Sequence, residues 1–121
     1  MPRTKVIFYQ EPEGTAAVLD WMDGIPERAQ DKCRVALERL AELGHELRRP
    51  GADYLRDGIY ELRVGLQRVN YRMLYFFHGK AAAVLSQGLV KEKRVPPKEI
   101  DEAVRRKKKF EADPTRFTYR E

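Results

Sequence analysis

The chain has 121 residues, of which 42% are hydrophobic and 36% charged, and a net charge of +5; that describes one soluble globular domain over 1–121, large enough to fold without staples. No apolar run approaches the roughly 20 residues needed to cross a bilayer, and MPRTKVIFYQ at the N-terminus lacks signal-peptide features. The lone Cys33 rules out an internal disulfide and a cysteine-built zinc site, so a reducing cytoplasm is the expected compartment.

Lys5–Gln10 (KVIFYQ) is rich in β-branched and aromatic residues and reads as a first strand, broken by Glu11-Pro12-Glu13-Gly14. Thr15 then suits the N-cap of a short helix through Met22, with Ala17, Leu19, Trp21 and Met22 on its apolar side. The next helix is the clearest. Pro26 fits its first position, and Ala29, Cys33, Ala36, Leu37, Leu40 and Leu43 recur at helical spacing to form a stripe. Gly44 is expected to end it in a left-handed conformation.

Glu46–Asp57 is polar, carries Arg48, Arg49 and Arg56, and reads as a loop. Asp57-Gly58 turns into Ile59–Val64, where Tyr60, Leu62 and Val64 alternate with Glu61 and Arg63. Gly65–Arg68 reverses the chain into Val69–Phe77, apolar on both faces like a central strand. His78-Gly79-Lys80 is a tight turn before a third strand, Ala82–Val90. Pro96-Pro97 opens a final helix with Ile100, Ala103, Val104 and Phe110 on its packing face. Asp113-Pro114 stops it, leaving residues 111–121 as an expected mobile tail. The order predicts an α+β fold: a small twisted antiparallel sheet of about four strands, two N-terminal helices packed on one face, and a C-terminal basic helix. The second face of the sheet is expected to be partly open.

Charge is unevenly placed. Residues 1–90 carry 13 Lys+Arg against 12 Asp+Glu, whereas residues 91–110 carry nine against four. Localised positive charge favours an anionic partner, although charge runs are usually solvated helix faces. Arg63, Arg72, Lys91 and Lys93 come from neighbouring strands and the segment after them, so they are the candidate catalytic cations. Arginine supplies a planar, permanently charged fork for phosphate oxygens. Lysine moves a proton only where neighbouring cations depress its pKa, which makes Lys91 the candidate for proton transfer. Arg68 and Arg94 are candidate nucleic-acid contacts, RNA contacts on the resemblance described below, as is Tyr71, whose alternative role is core packing. Against the functional reading, an isolated strand arginine usually pairs with an acid, and Glu61 shares a face with Arg63. With two histidines and one cysteine, no metal site is expected, and no cofactor motif is present.

The succession DGIYELRV, NYRMLYFFHGK and LSQGLVKEKRVPPKEIDEA resembles the RelE/ParE toxin superfamily, closest to its HigB-like, phage Gp49-like branch. The resemblance runs from about Leu19 to Arg106 and lies in the order and spacing of ELR, YRxLYFF, GxVK and PxxEIxxA. It implies the toxin of a type II toxin–antitoxin pair: a cytoplasmic, metal-independent, ribosome-dependent mRNA endonuclease neutralised by a cognate antitoxin of helix-turn-helix type. Arg63 matches the arginine of the ELR strand, Arg72 that of the YR strand, and Lys91 the lysine after the GL step; Lys93 falls in the same basic cluster. The chain departs from the HGFxKK of many relatives at Gln87 and Glu92, and has Glu61 where RelE carries a strand lysine. The same fold also serves a ParE-like toxin that inhibits DNA gyrase, or an inactive phage-derived relative that only binds an antitoxin.

Overall fold

The computed structural model describes residues 3–90 and 93–120. In chain order the elements are β1 (Lys5–Phe8), α1 (Ala17–Asp23), α2 (Glu27–Leu43), a 3-10 turn at Gly44–Glu46, β2 (Ala52–Arg56), β3 (Ile59–Leu66), β4 (Val69–His78), β5 (Ala82–Val90) and α3 (Pro97–Ala112). The strands form one sheet in the order β1-β5-β4-β3-β2. Four run antiparallel as a meander, and β1 joins the far edge parallel to β5.

The α+β class and the strand–helix–helix–meander–helix order follow the expectation, but the sheet has five strands. The extra one is β2, drawn from the polar stretch read as a loop. Its five residues (ADYLR) carry too little hydrophobic alternation to signal a strand, because it lies at the sheet edge and pairs only with β3. Asp57 and Gly58, at φ 53° and 82°, make the tight reversal between them.

Cores lie on both faces. Ala29, Cys33 and Leu40 of α2 and Val18 and Met22 of α1 pack on Leu62, Val64, Tyr71, Met73, Tyr75 and Leu85. On the other face Ile100, Ala103 and Phe110 of α3 cover Ile59, Leu74, Phe76 and Val84. That second face, expected to be partly open, is therefore largely covered by α3. The helix needs an apolar partner for its stripe, and the alternate residues of β3, β4 and β5 supply one.

A bulge in β5 sets which side chains meet α3. Leu74 pairs with Gln87 but Tyr75 pairs with Leu85, so Ser86 is the extra residue. Beyond it Gln87 and Leu89 point to the α3 face and Gly88 to the other. There Trp21 lies so close that a Cβ on Gly88 would sit 2.1 Å from its ring.

Several local expectations change. Ala16, not Thr15, occupies the N-cap of α1 and makes no side-chain cap. Leu43 is exposed and Ala41 is buried in its place, its carbonyl accepting the Thr4 N–H ahead of β1. Gly44 does adopt a positive φ of 52°, and a Cβ there would meet Thr4 Oγ1 at 2.2 Å. The tail expected to be mobile is docked instead. Phe117 is buried and stacks on Tyr9 at 5.6 Å, Gln10 donates to the Phe117 carbonyl, and Tyr119 donates to that of Phe8. Among the described residues no helix is long and apolar enough to cross a membrane.

Candidate functional site

Arg63 and Arg72 are directly opposed in the antiparallel β3–β4 ladder and project to the α3 face. Opposed like charges repel, and the compensating acid comes from the same face. Glu61, two residues before Arg63, is 1% exposed and accepts hydrogen bonds from Arg63 Nε and from Arg72 Nη1, the latter at 3.1 Å to each carboxylate oxygen. Burying that carboxylate alone would be strongly unfavourable, so two charged donors are its condition for being there. Sequence patterning put Glu61 beside Arg63; that it also holds Arg72 depends on strand register.

Asp53 extends the network outward from β2. Its carboxylate accepts from Arg63 Nη2 at 3.2 Å and pairs with Arg49 Nη2 at 2.9 Å. The Arg49 hydrogen bond, opposed by partial burial and assisted by the backbone N–H of Tyr54 and the charge of Arg63, holds Asp53 below its ordinary 3.8. Neither Arg49 nor Asp53 was singled out beforehand. Both lay in the presumed loop, and their only signal was the i, i+4 spacing of opposite charges.

With two acids set among Arg49, Arg63 and Arg72, the network carries one net positive charge rather than the uncompensated cluster the sequence suggested. Each central arginine still has a terminal nitrogen to offer. Among the described residues, Arg63 Nη1 and Arg72 Nη2 donate to no protein acceptor. Both arginines line a cleft of about 300 Å³ together with Arg56, Arg94, Val95 and Ile100. Arg63 is 38% exposed at its side chain and Arg72 11%, so Arg63 forms the rim and Arg72 the floor.

The other expected site residues divide clearly. Arg94 joins the cleft wall, and Lys93 is exposed beside it. Lys91 and Glu92 lie outside the described residues. Arg68 is exposed in the β3–β4 turn, one residue beyond the last ladder pair and four from Arg72, which is about 13 Å along the strand. Tyr71 does not join the arginines. It is 6% exposed on the opposite face, edge-on to Trp21 at 6.3 Å, which is the core-packing position. Tyr75 is also buried there, and burial drives its hydroxyl pKa well above the usual range.

Gln87 is a strap between β5 and α3. Its Nε2 donates to the Glu99 carbonyl at 2.8 Å, and its Oε1 accepts from Arg106 Nη1 at 3.4 Å. The basic run of α3 is largely paired internally. Arg105 and Arg106 bind Glu11 and Glu102, Lys109 approaches Glu11 at 3.7 Å, and Lys107 approaches Glu111 at 3.7 Å. The Arg105 hydrogen bond is the main reason that Glu102 titrates below its ordinary value. The helix surface is thus a solvated ion-pair network.

The family model described as "Phage derived protein Gp49-like (DUF891)" matches residues 20–108. The chain belongs to that family. Gp49-like proteins are related to RelE-like toxins, and the matched span runs from α1 to α3, taking in the whole arginine cleft. No curated protein matches the chain. Within this Gp49-like domain, the ELR and YR strands are the pair that bring Arg63 and Arg72 into register.

Proposed function

We propose that this Gp49-like protein is the toxin of a type II toxin–antitoxin pair and cleaves mRNA on the ribosome in the cytoplasm. The observation that carries the reading is the convergence of Arg63 and Arg72 on one side of the sheet, both lining one cleft and each with a terminal nitrogen that donates to no described residue. In the proposed reaction a ribose 2′-oxygen attacks the neighbouring phosphorus, loses its proton, and displaces the 5′-oxygen, which takes one up. The products are a 2′,3′-cyclic phosphate and a 5′-hydroxyl.

Arg72 Nη2 and Arg63 Nη1 would hold the non-bridging oxygens as negative charge builds on the phosphorane, an interaction stronger in the transition state than in the ground state. Glu61 would fix both forks in orientation rather than take the proton, since its oxygens already accept from the two arginines. Lys91 and Lys93 are the groups proposed to serve the proton steps, with Arg94 and Arg68 contacting the flanking backbone. Among the described residues no histidine or free carboxylate lines the cleft, and alignment of the 2′-hydroxyl by the ribosome is proposed to supply orientation that the isolated domain lacks.

A second reading rests on the compensated charge. A cleft with its arginines already paired, beside an α3 surface paired within itself, also suits a ParE-like toxin that acts by binding gyrase. Induced expression without antitoxin separates the two. The nuclease reading expects growth arrest with new mRNA 5′ ends at codon positions, both relieved by Arg72→Ala. Arrest without new ends, together with inhibition of purified gyrase, favours the second. A cognate antitoxin, of helix-turn-helix type, is proposed to cover the cleft; co-purification with the neighbouring gene product tests that.

A further inference from the structure

Edge strand β2 has a second opening on its far side. A cavity of about 500 Å³ is bounded there by His45, Arg48, Arg49, Asp53, Tyr54 and Tyr60, a volume within the roughly 300–1,000 Å³ of small-ligand sites. Asp53 and Tyr54 line both this cavity and the arginine cleft, so the two are neighbours sharing β2 as their wall.

Tyr54 is 53% exposed, the one exposed tyrosine among the described residues. Its ring is nonetheless fixed. The hydroxyl accepts the Gly58 N–H at 3.0 Å, and the ring meets Tyr60 edge-on at 5.0 Å; Tyr60 in turn stacks on buried Tyr75 at 5.4 Å. An aromatic face held rigid in water is ready to stack without a further loss of side-chain freedom. Cations border it. Arg48 forms no ion pair or side-chain hydrogen bond with the described residues, and Arg49, though bound to Asp53, stays 75% exposed. The one acid in the wall, Asp53, is already neutralised by Arg49 and Arg63. Arg48, Arg49 and Arg63 also line an adjoining groove of about 630 Å³ with Arg39, four cations against the one acid Glu46. A fixed aromatic face beside a cationic track is the usual surface for single-stranded nucleic acid.

We propose that Tyr54 is a stacking platform for one unpaired base of single-stranded RNA. That base lies across the β2 edge from the phosphate held by Arg63 and Arg72, and Arg48 and Arg49 hold the backbone that passes over that edge. The inference rests on reading the arginine cleft as a phosphate site and extends it to a footprint of more than one nucleotide. Stacking accepts any base, so Tyr54 adds affinity and register rather than base choice.

The test is anisotropy of a labelled 2′-O-methyl RNA hexamer, which binds but lacks the attacking hydroxyl, with the full chain and its Tyr54→Leu and Tyr54→Phe variants. Tyr54→Leu is expected to weaken binding about tenfold or more, and Tyr54→Phe to stay within about threefold of the wild type. One abasic position in the hexamer should weaken wild-type binding as much, and should cost Tyr54→Leu nothing further. Equal affinity of the Tyr54→Leu and wild-type chains overturns the platform, as does absence of hexamer binding by the wild type. Loss of antitoxin capture by Tyr54→Leu with RNA affinity unchanged also overturns it, because the face then docks protein. In each of those cases mapping of mRNA 5′ ends still judges the nuclease reading, since Arg63 and Arg72 are untouched. Tyr54-dependent binding with no new 5′ ends sinks the nuclease reading and leaves the platform standing.

Discussion

Arg63 and Arg72 face one another across the β3–β4 ladder and are held side by side by a single buried carboxylate, Glu61. Two like charges remain adjacent because the acid between them is shared, and both side chains line one cleft. The same contacts that would prepare a phosphate site therefore also stabilise the sheet.

That double role separates stability from activity. Arg72→Ala leaves Glu61 with Arg63 alone and should lower unfolding free energy by about 2–3 kcal/mol, less than for a buried pair fully broken. Adding Glu61→Gln removes the stranded charge and should recover about half of the loss, measured by urea unfolding. Toxicity, if it depends on the Arg72 fork, stays lost in the double variant. Recovery of toxicity together with stability would show that Arg72 acts only as a counterion.

Gly88 is a packing requirement. Its missing side chain lets the Trp21 ring lie against β5, and Gly88→Ala should cost about 1–3 kcal/mol as ring and strand separate. Denaturant midpoints, with Trp21 fluorescence as the probe, check this. The equivalent change at Gly65, where a Cβ meets nothing within 4 Å, should have little packing cost.

Cys33 should be chemically silent in the native state. It is fully buried in the α2 stripe, and burial pushes its thiol up to about 11. A disulfide reagent at neutral pH is expected to label it only after denaturation. Rapid labelling of the folded protein would mean that α2 opens readily from the sheet.

Acid should weaken the rim of the cleft. Asp53 titrates below its ordinary 3.8, first because of the Arg49 hydrogen bond. A carboxyl whose folded pKa is depressed contributes stability above the unfolded value and loses it as pH falls through the folded one. The contribution is therefore whole at pH 5 and declines below about 4. Asp53→Asn should flatten that part of the pH–stability curve and leave stability at neutral pH less changed than Arg72→Ala does. An unchanged acid limb in Asp53→Asn would show that the Arg49–Asp53 contact contributes nothing in solution, as many exposed pairs do.

Much of the fold was written in local pattern. The α2 stripe, the Asp57-Gly58 and Gly79 turns, the alternation through ELR and the proline start of α3 each act over a few residues, and hydrophobic periodicity reports them directly. β2 and the docked Phe117 were not legible. ADYLR becomes a strand only because β3 offers an edge, and Phe117 is buried only because Tyr9 lies beneath it.

The candidate site divides the same way. Arg63, Arg72 and Glu61 were identifiable as residues, and Arg63 with Glu61 as sharing a face, because side chains two apart on a strand point the same way. Register between strands, the bulge at Ser86 and the reach of Asp53 from a separate strand depend on contacts distant in sequence. Tertiary structure alone decided that the two arginines share one buried acid, that Tyr71 belongs to the core, and that the basic run of α3 is spent on Glu11 and Glu102. Charge type is a property of the residue, whereas charge compensation is a property of its neighbours in space.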